Sequence, residues 1–370
     1  MKCKEIIKYL EEWAPKAVAW ERDNVGLQVG TDERQLKNIM VSLDLNINVI
    51  EEAKKKNCNL IITHHPLLFN SLNKIDTQTD TTSKLIEKLI KNNITLYSAH
   101  TNLDFTKHGV SFQLAKRIKL QNINFLTHLS EHQVKLAVFV PEENVDAVAA
   151  AIHSAGGGII GEYSHCSFRL RGTGTFKGSD ASNPYVGKKG RLEKVKEIRL
   201  EVLIDTWKLS SVTAAMKQAH PYEEVAYDLY PLKNENVNYG AGAIGELETA
   251  ISKKEFLDHI SKTLRIKNFR YSNSKSDKIK KVAVCGGSCS NLLNVAVKQG
   301  ADAFVTADIK YHTFQEAESK ILLIDAGHYE TEIHSLDEVQ KRLKYFLKKD
   351  YNSKVYKYKG STNPVIFYNN

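Results

Sequence analysis

Short β-branched runs alternate with amphipathic stretches in two separate blocks of the chain. In the first block, NIMVSLD (38–44) has the apolar continuity of a strand, residues 46–57 the spacing of a helix, and NLIITHH (59–65) reads as a second strand. Residues 81–92 predict another helix and ITLYSAH (94–100) a third strand. Such runs, separated by helices of about ten residues, indicate parallel strands with helices packed on them. The rhythm returns toward the other end: KKVAVCGG (280–287), a helix over 290–299, AFVTAD, a helix from about 311 to 318, ILLIDAG, and a long helix from about 332 to 348.

Between the blocks the texture changes. Residues 135–170 read as strand, acidic alanine-rich helix, glycine turn and strand, and residues 197–232 as strand, helix and strand. Two βαβ units in tandem predict a ferredoxin-like split sheet. We therefore expect an α+β domain at 130–235, inserted into one layered α/β domain formed by 1–129 and 236–370. Insertion at a surface loop is cheap because chain ends commonly lie close together.

Polar side chains collect where the predicted strands end. LIITHHPLLF closes a strand with His64 and His65, and Pro66 stops the ladder. Neighbours on an extended strand point to opposite faces, so both histidines serve one site only if the chain turns there or the site holds two metals. His100 ends another strand, with Asp104 four residues on, and GHYETE (327–332) follows a third. If GHYETE is helical, His328 and Glu332 share a face and Glu330 points away. Open parallel sheets bind ligands beyond the carboxyl ends of their strands. Several imidazoles with two carboxylates, and no cysteine near them, suit a catalytic pair of divalent ions better than a closed structural zinc site. Asp308, Lys310 and His312 follow a further strand as candidates for an outer or acid–base role, and VCGGS offers a weak anion-binding signal. His153, His165 and His220, with Glu223 and Glu224, form a looser polar set inside the insert.

Composition narrows this picture little. With 370 residues, 42% hydrophobic and 26% charged, the chain has the make-up of a globular protein of two or three domains. No apolar run is long enough to span a membrane, and MKCKEIIKYLEEW reads as an amphipathic helix rather than a secretion signal. Five scattered cysteines suggest a reducing cytoplasm, and Cys285 and Cys289 lack C-x-x-C spacing. The net charge of +9 comes from dispersed lysine-rich stretches with no nucleic-acid module, so nucleic acid is not the expected partner.

ITHHPLLF, AHTNLD, GTGTF, HPYEEVAYDLYPL, VAVCGGS, TADIKYH and DAGHYETE together resemble the Ngg-one-interacting-factor-three-like family, whose bacterial members are often labelled GTP cyclohydrolase I type 2 homologues. The resemblance covers essentially the whole chain. It implies that His64, His65, Asp104, His328 and Glu332 hold two adjacent divalent metals, with Glu332 bridging. It also implies an insert similar to the PII and divalent-cation-tolerance folds, and a hexameric toroid with metal sites facing an internal cavity. The chain departs from the family pattern at His108 and Ser111, where small or acidic residues are expected, and at Cys289, where glycine is usual.

The function expected is that of a dinuclear metal-dependent hydrolase in which His100 or His312 shuttles a proton. Hydroxide attack at the purine C8 carbon or at phosphorus fits equally, so the substrate class is a nucleotide or phosphoester. Zinc, iron and manganese all suit mixed nitrogen and oxygen ligands. The alternative is a non-enzymatic, metal-binding regulatory or chaperone-like hexamer.

Overall fold

The apolar runs form strands that are buried on both faces. Cys58–Thr63, buried at every position, pairs in parallel with Asn38–Ser42 on one side and Thr95–Ser98 on the other. Continuous burial is why these strands read as unbroken apolar runs rather than alternating ones. Gly26–Val29 adds an antiparallel edge, and Val355–Lys357 pairs in parallel with Asn38–Ser42 at the other edge. In the computed structural model, which describes residues 1–274, 276–348 and 352–368, these five strands make one sheet. Parts of two of the lysine-rich stretches, at 275 and 349–351, lie outside the described residues.

A second sheet has the order Arg270–Tyr271, Leu322–Asp325, Ala303–Thr306, Lys278–Val284, Glu235–Ser252, Gln121–Ser130. Its centre is parallel, with Ala303–Thr306 between Lys278–Val284 and Leu322–Asp325. The terminal segments are thus interlocked: a strand from near the C-terminus completes the first sheet, and Gln121–Ser130 edges the second. The helix Cys3–Trp13 buries Cys3, Ile6, Ile7 and Leu10 against the first sheet's core, which also receives Leu336, Val339 and Leu343 of Ser335–Leu347. The long helix expected from about 332 to 348 forms as Ser335–Leu347, and the short helix His328–Glu332 precedes it. Ile333 and His334 keep right-handed helical dihedrals between them, but the run of helical hydrogen bonds is interrupted there.

The chain divides into two compact units, one of residues 1–127 with 239–370 and the other of residues 128–238. The second unit has a sheet ordered Phe168–Lys177, Leu192–Asp205, Gln133–Pro141, Tyr227–Leu232, with every neighbouring pair antiparallel. The helices Val145–Ser154 and Leu209–Ala219 pack on one face of it through Val148, Ile152, Val212 and Met216.

Candidate metal centre

Both amides after Cys58–Thr63, those of His64 and His65, donate to the carbonyl of Leu43, at 3.1 and 3.0 Å. The strand therefore turns, and two consecutive rings come to the same place, with centroids 5.0 Å apart. His100 follows Thr95–Ser98 and begins the one-turn helix Thr101–Asp104, which carries Asp104 at its end. Gly327, at φ +87, swings the chain into His328–Glu332 after Leu322–Asp325. His328 and Glu332 then face each other across one turn, Nε2 to Oε1 at 3.2 Å.

These segments converge. His65 Nε2 lies 3.1 Å from Glu332 Oε2 and 3.3 Å from His328 Nε2. His64 Nε2 lies 3.5 Å from Asp104 Oδ1 and 3.8 Å from Glu332 Oε1. Two groups of donor atoms, His64 with His65 and His100, and His65 with His328 and Glu332, each lie within 4.8 Å of one another. They share His65, and with Asp104 beside His64 they offer the donor set of a dinuclear divalent-metal site. The donor chemistry fits that use: His64 Nε2 and Asp104 Oδ1 are buried with no hydrogen-bond partner. Orphaned polar atoms of this kind are costly unless something binds them.

Behind each ring stands an acceptor that fixes its tautomer. His64 Nδ1 donates to the Ala99 carbonyl at 2.8 Å, His65 Nδ1 to Asp44 at 2.7 Å, and His328 Nδ1 to Asp308 at 2.6 Å. His100 Nδ1 donates to Asp23 at 2.9 Å. Each arrangement leaves Nε2 as the free donor, the usual outer support of a ligating histidine. Asp23 and Asp44 escaped the sequence reading. Asp44 stands at the end of NIMVSLD, where the strand-end rule would have found it; Asp23 sits in a loop with no local signal.

The charges are mutually supporting. Burial opposes ionisation of Glu332, but His64, His328 and His65 outweigh it and hold the carboxyl well below its usual range. Burial likewise opposes charge on His65 and His328, yet Asp44 and Glu332 take His65 up to about 10, and Glu332 and Asp308 take His328 up to about 9. Burial pushes Asp104 up to about 7, with His64 pulling against it. Asp23, despite its burial, is brought down to about 2 by His100 and Thr101.

Other expected features fall elsewhere. His312 is exposed on the helix Tyr311–Ala317 and its Nδ1 meets Gln315, so it is not brought to the cluster. The glycines of VCGGS do not cradle an anion: Gly287 N donates to Thr331 Oγ1 at 3.0 Å and Gly286 N to Ser111 Oγ at 3.4 Å. Gly287 is needed for another reason. It has φ +68, and a Cβ there would stand 2.2 Å from Glu332 Oε1. Ser111 is buried against Cys285, Cys289 bonds the Gly286 carbonyl, and His108 packs edge-on to Phe112. Beside the cluster lies a cavity of about 610 Å³ whose walls include Asp44, His65, Arg270, Asp308, His328 and Tyr329.

The Duf34/NIF3 family, described as NGG1p interacting factor 3, matches residues 1–364. A GTP cyclohydrolase 1 type 2 homolog of Halalkalibacterium halodurans is 39% identical over 364 residues, covering 98% of both chains. That of Bacillus subtilis is 39% identical over 365 residues, again covering 98% of both. Among solved structures, a Bacillus cereus protein related to NIF3 superposes with a TM-score of 0.87 at 38% identity, covering 100% of this chain and 99% of the other. Likeness that runs nearly end to end in both sequence and structure leaves one conclusion: the chain belongs to the Duf34/NIF3 family.

Proposed function

We propose that this chain is a hydrolase working with two divalent ions, held by His64, His65, Asp104, His328 and Glu332, with Glu332 between them. The observation that carries the reading is the convergence of the Asp104 and Glu332 carboxylates on the buried His64 Nε2, with His64 Nε2 and Asp104 Oδ1 both lacking a hydrogen-bond partner. Bound ions of this kind supply Lewis acidity and lower the pKa of a coordinated water. The chain's own part is to hold three imidazoles with Nε2 inward and to keep Glu332 ionised. His100, its Nδ1 engaged by Asp23, has Nε2 left to exchange a proton at the edge of the cluster. In the adjoining cavity, Tyr329, Phe269 and Phe367 offer aromatic contact that suits the base of a nucleotide, while Arg270 is held by Asp325. The names of the relatives point the same way, though they speak of those proteins.

Zinc, iron and manganese suit this donor set equally on ligand chemistry. We read residues 128–238 as a ferredoxin-like module, supported by its strand order and paired helices. The family resemblance carries a homohexameric toroid, and the absence of disulfides among the described residues is in keeping with the cytoplasm. No helix among the described residues is long and apolar enough to cross a membrane.

The test is a turnover screen of metal-loaded protein against nucleotides and phosphoesters, with Asp104→Ala as the contamination control. Hydrolysis that disappears in the variant is expected. Metal binding without turnover of any substrate would favour the regulatory alternative.

A further inference from the structure

The sheet of the 128–238 unit has two unlike faces. Val138, Val140, Ile198, Leu200 and Val202 face the two helices and form the core. Alternation puts Glu197 and Arg199 on the opposite face, in register with Gly172 and Leu170 of the neighbouring strand. A cavity of about 770 Å³ lies there, lined by Glu197 together with Phe139, Phe176, Tyr185 and Tyr222.

Glu197 is the unusual member. Its side chain is in the floor of the cavity and the residue is only 8% exposed. Oε1 accepts from the Tyr222 hydroxyl at 3.0 Å. Burial, with Glu197 second, pushes the Tyr222 hydroxyl well up, so it remains a donor. Among the described residues no lysine, arginine or histidine forms an ion pair with Glu197. The basic groups on the same walls are committed elsewhere: Arg199 to Glu201 at 3.1 Å and Arg171 to Glu142 at 2.9 Å. Lys177 stands exposed at the edge. His220, beside Tyr222, accepts at Nδ1 from the Tyr222 amide and holds the Phe139 carbonyl through Nε2, so it is neutral.

The backbone makes room for this carboxylate. A Cβ on Gly174 would stand 2.0 Å from Glu197 Oε2. Above it the rings of Phe176 and Tyr185 each have centroids 6.2 Å from that of Tyr222, inclined to it by 61° and 51°. A buried carboxylate without a counter-charge is expensive. Aromatic rings grouped around such a carboxylate are the recognition chemistry of an ammonium or guanidinium group.

We propose that this cavity binds a small organic cation on an apolar frame, with Glu197 as its counter-ion and Phe176, Tyr185 and Tyr222 as its cage. The site shares no lining residue with the metal cluster, and the proposal stands whether or not the hydrolase reading does.

The test is calorimetry on the full-length protein with 2-phenylethylamine, agmatine and tetramethylammonium, against phenylacetate and 2-phenylethanol as anionic and neutral controls. Cations should bind and both controls should not. Glu197→Gln, which keeps the shape and an acceptor for Tyr222, should weaken binding about tenfold or more. Tyr185→Ala, at an exposed ring that the fold does not need, should weaken it as well, and circular dichroism should be unchanged in both variants. Glu332→Gln should bind the cations as the parent does. Absence of binding by all three cations at millimolar concentration, equal binding of the controls, or full affinity in Glu197→Gln would each overturn the proposal.

Discussion

Asp44 and Asp308 each accept from the Nδ1 of a histidine, and so decide which ring nitrogen faces the metal centre. Removing that charge while keeping the shape, as in Asp44→Asn, should weaken metal binding about ten- to a hundredfold, measured by competition with a chromophoric chelator. Undiminished affinity would mean that Asp44 does not support His65. The same acids have a consequence for pH. A metal takes the Nε2 lone pair only after the proton leaves. Both folded-state pKa values are raised, so at neutral pH the metal-free imidazoles of His65 and His328 carry protons that metal must displace. Affinity should therefore climb with pH toward the range of about 9 for His328 and about 10 for His65. Calorimetry across pH, in buffers of different ionisation enthalpy, reads both the climb and the released protons. A flat profile would show that these rings are not ligands.

The elements carry side chains to the centre through tight backbone, and Gly287 is the sharpest instance. Its left-handed φ and its approach to Glu332 leave no room for a methyl group. Gly287→Ala should cost roughly 1–3 kcal/mol in urea unfolding and deplete bound metal at the same time. A variant with parental stability and metal content would show that the backbone there is more tolerant than described. The strand ends bearing His64, His65 and His100 were legible because buried parallel strands write themselves as local apolar runs. What stayed hidden depends on distant partners. Asp23 acquires its role from His100, 77 positions away, and the three-residue strand Val355–Lys357 makes sense only beside Asn38–Ser42. The glycines of VCGGS misled for the same reason, since their N–H groups are taken by Ser111 and Thr331, 175 and 44 positions away. His312 has the right residue type after the right kind of strand, yet its helix leaves it exposed beside Gln315.

At the scale of the whole molecule, each unit's core is its own. One apolar cluster is built wholly of residues from 128–238, and the others draw only on residues 1–127 and 239–370. Excising 128–238 and joining the flanks with a short linker should leave a folded protein that still binds metal, followed by circular dichroism and metal titration. A chain that loses cooperative unfolding would mean the two units depend on each other. The proposed hydrolase requires Glu332 as a shared ligand rather than one acid among several. Glu330 supplies the control, because it belongs to the same helix but accepts from Asn363 at 2.8 Å instead of entering the cluster. The most direct measurement is metal content per chain, by elemental analysis, in the parent, Glu330→Gln and Glu332→Gln, both of which remove one formal charge. About two divalent ions are expected in the parent and in Glu330→Gln, and a severe loss in Glu332→Gln. Equal losses in the two variants, or an unchanged content in Glu332→Gln, would contradict that role for Glu332.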